Sequence, residues 1–223
     1  SPFPAALDDA REAYEYLLSK GYPARQILLC GESAGGGLCY ALCLKLRDLG
    51  LPMPCGVLAI SPWTDLTASG DSYAANRDND PSLTAEVLEF YAGCYAGETD
   101  RADPLLSPLF GQLKGLPPSL IFVGGDEILL DDSRRLHQRL LAAGCRSRLV
   151  VAPERWHAYV LYQLNENQDD FKTINEFLNR YLAQENKLRW MRLDNAAKIY
   201  PAAQRKNWNN FFRLSATLTE SID

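Results

Sequence analysis

Short, mainly apolar runs alternate along this chain with longer stretches in which apolar residues recur every three or four positions. Residues 26–30, 55–60, 118–123 and 148–151 are runs of the first kind, short enough for strands buried on both faces. The second kind predicts helices over 5–19, closed by Gly21, and over 38–49, stopped by Gly50, with others near 84–93, 131–143 and 158–183. Strands alternating with helices of this length predict an α/β fold, a mostly parallel sheet with helices on both faces. Two long connections, 61–82 and 94–117, are rich in Pro, Gly, Asp and Ser. They border strands of an open sheet, where binding residues gather beyond the carboxyl ends, so they are candidate pocket walls.

Composition fits that fold. Of the 223 residues 47% are hydrophobic and 23% charged, enough apolar side chain for a core and too little charge for wholesale disorder. No apolar run reaches the ~20 residues of a membrane span. The net charge of −5 argues against nucleic acid as a partner, since phosphate contacts need a concentrated positive face. Charge is uneven: residues 1–186 hold 16 basic and 25 acidic side chains, whereas 187–223 hold 7 and 3. With the polar Gln184-Glu185-Asn186 between them, this divides the chain into a body over 1–184 and a basic, Trp-containing appendage over 185–223. The six cysteines show no Cys-x-x-Cys or zinc spacing. They are expected to be free thiols in a reducing, cytoplasmic setting, with no metal.

Chemistry concentrates where strands end. Gly31-Glu32-Ser33-Ala34-Gly35 follows the first apolar run and opens a helix, the context that turns a bare G-x-S-x-G into a nucleophile elbow. The serine must occupy a strained turn that lifts its hydroxyl above the sheet edge, and Gly31 and Gly35 are expected to remove colliding side chains there. The Ala34 N–H would donate to an oxyanion. A serine needs a base, and only His137 and His157 are available. His137 lies in a helical, basic stretch, whereas His157 follows the loop after the last apolar run. The acid falls between serine and histidine in this arrangement. Asp126, the first carboxylate beyond the third run, is the expected partner for the imidazole, and Glu127 beside it is the competing carboxylate. Trp63, Leu66, Tyr91 and Leu106 are expected to line an acyl pocket, packing being the equal alternative for Trp63.

With Ser33, Asp126 and His157 placed, the sequence resembles the hormone-sensitive-lipase-like carboxylesterase branch of the α/β-hydrolases over roughly residues 1–183. The likeness is carried by Pro2-Phe3-Pro4-Ala5-Ala6, Gly31-Glu32-Ser33-Ala34-Gly35-Gly36, Ser61-Pro62-Trp63-Thr64-Asp65-Leu66, Pro104-Leu105-Leu106-Ser107-Pro108, Gly125-Asp126-Glu127-Ile128-Leu129-Leu130-Asp131-Asp132 and Trp156-His157-Ala158-Tyr159. It implies a serine hydrolase of small to medium acyl esters, without a cofactor, in which Glu32 is a carboxylate behind the nucleophile. The family's His-Gly-Gly-Gly oxyanion stretch has no counterpart in this sequence. The chain therefore reads as a partial hydrolase fold, its late strands and helices, with weak or absent activity by itself and a sheet edge open to self-association. The rival is a non-catalytic hydrolase-derived domain for binding or assembly. Residues 190–215 resemble the opening of a condensation-type, alcohol-acetyltransferase-like protein, without that group's catalytic His-x-x-x-Asp.

Overall fold

The computed structural model describes residues 1–162 and 167–182. The appendage, and its resemblance to a condensation-type protein, lie outside the described residues. The body opens with α1 (Ala5–Ser19), then β1 (Leu28–Glu32), α2 (Ala34–Asp48) and β2 (Gly56–Ile60). A short α3 (Ser72–Ala75) and α4 (Ala85–Ala96) interrupt the path to β3 (Ser119–Gly124). The chain then runs through α5 (Leu130–Ala142), β4 (Ser147–Ala152) and α6 (Gln168–Leu182). The four strands form one parallel sheet in chain order. Leu28 sits opposite Gly56, Leu58 opposite Leu120 and Leu120 opposite Arg148.

The central strands β2 and β3 are buried at every residue, which is why their sequences carry no polar alternation. Their side chains divide between two cores. Val57, Ala59 and Ile121 meet Tyr40, Cys43 and Leu44 of α2 and Leu136 and Leu140 of α5. On the other face Leu58, Ile60, Leu120 and Phe122 meet Ile174, Phe171 and Phe177 of α6. Helix α1 lies outside α2, through Leu7, Tyr14, Leu42 and Leu46. A further apolar cluster sits apart from the sheet faces: Trp63, Leu66, Tyr73, Leu88, Ala92, Leu106, Ile128 and Leu129. It is built by the long loops, and it forms the ground on which the site rests.

One expected helix divides. Residues 158–183 hold a 3₁₀ turn over Tyr159–Tyr162 and then α6 from Gln168. Ala158 has φ 56°, a left-handed conformation that no helix interior accepts, and the Tyr159 carbonyl is taken by the Asn167 side chain at 3.1 Å. Amphipathic spacing alone does not register such a break.

Candidate active site

Ser33 sits between β1 and α2 with φ 54° and ψ −123°, a conformation rare outside glycine. The turn is pinned on both sides. Ser33 N–H donates to the Ile60 carbonyl at 2.9 Å, and its own carbonyl accepts from Trp63 N–H at 2.9 Å. A Cβ on Gly31 would lie 2.2 Å from the Gly35 carbonyl oxygen, and one on Gly37 would lie 2.0 Å from that of Trp63. Gly31 lets the strand double back on the helix, and Gly37 lets the helix reach the loop after β2. Gly35 differs from expectation: a Cβ there meets nothing within 4 Å, because that residue faces a cavity. Ala34 is the first residue of α2, so its N–H has no intrahelical acceptor and is available to a ligand.

The loops after β3 and β4 bring a carboxylate to a histidine, and the carboxylate is Glu127 rather than Asp126. Glu127 and His157 are both buried, with Oε1 of one 3.6 Å from Nδ1 of the other. That separation is longer than a hydrogen bond, and neither atom has another partner among the described residues. The second Glu127 oxygen accepts from Ser61 Oγ at 2.7 Å and from Gly124 N–H at 3.0 Å. Ser61 Oγ in turn accepts from Ala158 N–H at 3.0 Å. Ser61 follows β2 as Ser33 follows β1, also with positive φ, 47°, and it ties the acid loop to the histidine loop. Asp126 is half-buried. Its N–H donates to the Arg155 carbonyl at 3.0 Å, and its carboxylate makes no hydrogen bond or ion pair among the described residues.

The other sequence candidates fall as follows. His137 stays on α5, its Nδ1 2.8 Å from Ser147 Oγ, at the opposite end of β4 from His157. Glu32 ends β1 exposed, with no described contact to Ser33 or His157. No hydrogen bond joins Ser33 to His157 among the described residues. Ser61 has no site role in the sequence reading, which contains it only as the head of Ser61-Pro62-Trp63-Thr64-Asp65-Leu66; a further signal is its position, the first residue past a buried strand.

Ser33, Ala34 and Gly35 open onto a cavity of about 470 Å³. Trp63, Leu66, Tyr91 and Leu106 line it together, with Leu83, Leu88, Tyr95 and Leu105. Trp63 also packs in the loop cluster, so it both lines this cavity and belongs to a core. Ala34, Gly37, Leu38 and Ala41 of α2 form one wall. These positions share a helix face, so the wall extends about 10 Å from the serine, and Ala41 and Ala6 of α1 leave its far end open to volume.

A hydroxyl on a strained turn, a buried imidazole–carboxylate pair and an apolar cavity all stand at the carboxyl edge of one parallel sheet. Comparison with known proteins gives the same architecture: residues 1–161 match the family model described as alpha/beta hydrolase fold. The chain belongs to the α/β-hydrolase family. Among its relatives, an acetyl-hydrolase of Streptomyces hygroscopicus is 43% identical over 162 residues, 73% of this chain and 54% of that protein. An esterase of Acinetobacter venetianus is 35% identical over 162 residues, 72% and 54% of the two chains. The crystal structure of an esterase from the bacterial hormone-sensitive lipase family superposes with a TM-score of 0.79 at 41% identity, covering 82% of this chain and 62% of that one. This α/β-hydrolase chain thus spans about half the length of the curated relatives it matches. The comparisons lend no support to a condensation-type likeness for residues 190–215. No described helix is long and apolar enough to cross a membrane.

Proposed function

We propose that the chain carries the catalytic machinery of a serine carboxylesterase for small to medium acyl esters. Ser33 is the nucleophile, His157 the base and Glu127 the acid that orients it. The observation that carries this reading is the strained Ser33 elbow opening on an apolar cavity, at the same sheet edge as two buried, unpartnered atoms of Glu127 and His157 that face each other. Similarity to an acetyl-hydrolase and an esterase supports it.

His157 Nε2 takes the Ser33 proton as Oγ bonds to the ester carbonyl carbon. The Ala34 N–H donates to the resulting oxyanion, and Glu127 accepts from Nδ1–H while remaining ionised. His157 returns the proton to the departing alkoxide, which leaves as the alcohol. Water then attacks the acyl-enzyme, its proton passes through His157 to Ser33, and the carboxylic acid is released. The six free thiols support a reducing, cytoplasmic setting.

The test is a p-nitrophenyl ester series from C2 to C12, with a fluorophosphonate probe, on the full chain. Ser33→Ala is expected to abolish both turnover and labelling, and Ala41→Phe to move the preferred acyl length downward. Labelling or hydrolysis retained in Ser33→Ala would place the nucleophile elsewhere. A folded wild-type chain that neither hydrolyses nor labels would favour a binding domain.

A further inference from the structure

The loop that carries Glu127 is fastened by side chains from a different part of the chain. Ser72, Asn76 and Asp80 stand one turn apart: Asn76 N–H donates to the Ser72 carbonyl at 2.9 Å, and Asp80 N–H to the Asn76 carbonyl at 3.1 Å. Each reaches the acid loop. Ser72 Oγ donates to the Ile128 carbonyl at 2.7 Å and accepts from Asp131 N–H at 3.0 Å. Asn76 Nδ2 donates twice, to the Gly125 carbonyl at 3.1 Å and to that of Glu127 itself at 2.9 Å. Asp80 Oδ2 accepts from Ile128 N–H at 2.9 Å, while Oδ1 holds the N–H groups of Ser82 and Leu83 at 2.8 and 3.2 Å.

These bonds reach main-chain groups on both sides of Glu127. The turn between β3 and α5 belongs to no helix or strand; Gly125 N–H donates to the Ala152 carbonyl at 2.7 Å, Asp126 N–H to that of Arg155 at 3.0 Å and Leu130 N–H to that of Glu127 at 3.2 Å, and the three side chains add to these main-chain bonds. The tolerance there is tight. Glu127 Oε1 and His157 Nδ1 are 3.6 Å apart, and a functional pair needs its members held within about half an ångström of productive geometry. A backbone shift of that size at Glu127 decides whether the pair closes or parts.

We infer that Ser72, Asn76 and Asp80 are positioning residues for Glu127, a side-chain staple that aims its carboxylate at His157. This rests on reading Glu127 and His157 as the acid–base pair. Asn76 is the member to remove, since of the three side chains only it bonds the Glu127 main chain. Its neighbour Arg77, exposed and directed to Glu86, is the control.

The experiment uses the full chain of the wild type, Asn76→Ala and Arg77→Ala. The readouts are kinetics on p-nitrophenyl butyrate and the ¹⁵N spectrum of the His157 ring at a pH where that ring is neutral. Wild-type His157 is expected to hold its proton on Nδ1. Asn76→Ala is expected to give a mixture of tautomers and to lower kcat about 10- to 100-fold, with KM within about twofold. Arg77→Ala is expected to match the wild type in both. A folded Asn76→Ala with the wild-type ring spectrum overturns the staple. A tautomer mixture already present in the wild type overturns the Glu127–His157 pair, and the staple with it. A silent kinetic assay counts against the hydrolase reading alone, because the ring spectrum still decides the staple. Should Asn76→Ala unfold, Asn76→Asp keeps the side-chain shape, loses the donor and is read by the same spectrum.

Discussion

Asp126 and Glu127 are adjacent carboxylates in different surroundings, the first half-buried and the second fully buried beside His157. Counting outward from a strand selects Asp126, the first acid past the buried run. The structure turns that residue toward the Arg155 carbonyl through its N–H and sends Glu127 inward to His157. A signal for this was present: Glu127 heads the run Ile128-Leu129-Leu130, all buried, and a carboxylate opening such a run is carried inside with it. What the sequence lacked was the direction of the turn, which Ser72, Asn76 and Asp80 set from more than forty residues away. The assignment separates cleanly by mutation. Glu127→Gln keeps the shape and removes the carboxylate that, in the proposed mechanism, orients the imidazole; the equivalent change in a serine protease lowers kcat about 10⁴-fold. A loss of that order is expected here, with Asp126→Asn within about threefold of the wild type. Steady-state kinetics of the two variants check it, and the reverse order of effects would return the acid to Asp126.

Secondary elements were the most legible part, because their causes are local. Helix α1 occupies the residues expected of it, and each strand lies within about two residues of its apolar run. The elbow was legible for the same reason, since Gly31 is required by a contact only four residues away. Pairing at the rim was less so. Strand β1 pairs with β2 alone among the described residues, and both Cys30 and Glu32 on it are exposed, unlike anything on β2 or β3. An unpaired parallel strand presents free N–H and carbonyl groups to a second chain. Copies of this chain are therefore expected to associate, with the light-scattering mass rising above the 24.9 kDa monomer as concentration increases. Cys30→Lys, which places a charge on that exposed edge, should move the mass back toward the monomer. A wild type that stays monomeric throughout the range would show that the edge does not pair.

At the scale of the whole body, the loops beyond the sheet form a second core, and buried carboxylates lock it to the first. Asp132, on α5, is fully buried, and its Oδ2 accepts from Thr64 N–H at 2.7 Å and Asp65 N–H at 2.9 Å. It thereby clamps the Trp63 loop to α5. Asp65 is held beside it by the Thr67 and Ser69 hydroxyls and by Arg135 at 3.1 Å. Burial pushes the Asp132 carboxyl up to about 8, and the charge of Asp65 adds to this against the two N–H donors. Asp65 moves the opposite way: burial raises it, but the bonds from Ser69 and Thr67 bring it below the ordinary carboxylate value. For Asp132 the folded state binds the proton more tightly than the unfolded state does. Its contribution to stability is complete below an ordinary carboxylate pKa, near ~4, and is lost as pH rises through about 8. Thermal unfolding is therefore expected at a lower temperature at pH 9 than at pH 6. Asp132→Asn, which keeps an acceptor oxygen for both N–H groups and cannot ionise, should remove most of that difference even if it lowers Tm throughout. An equal pH dependence in the wild type and Asp132→Asn would mean that Asp132 carries no proton in the fold, and that its two backbone donors outweigh its burial.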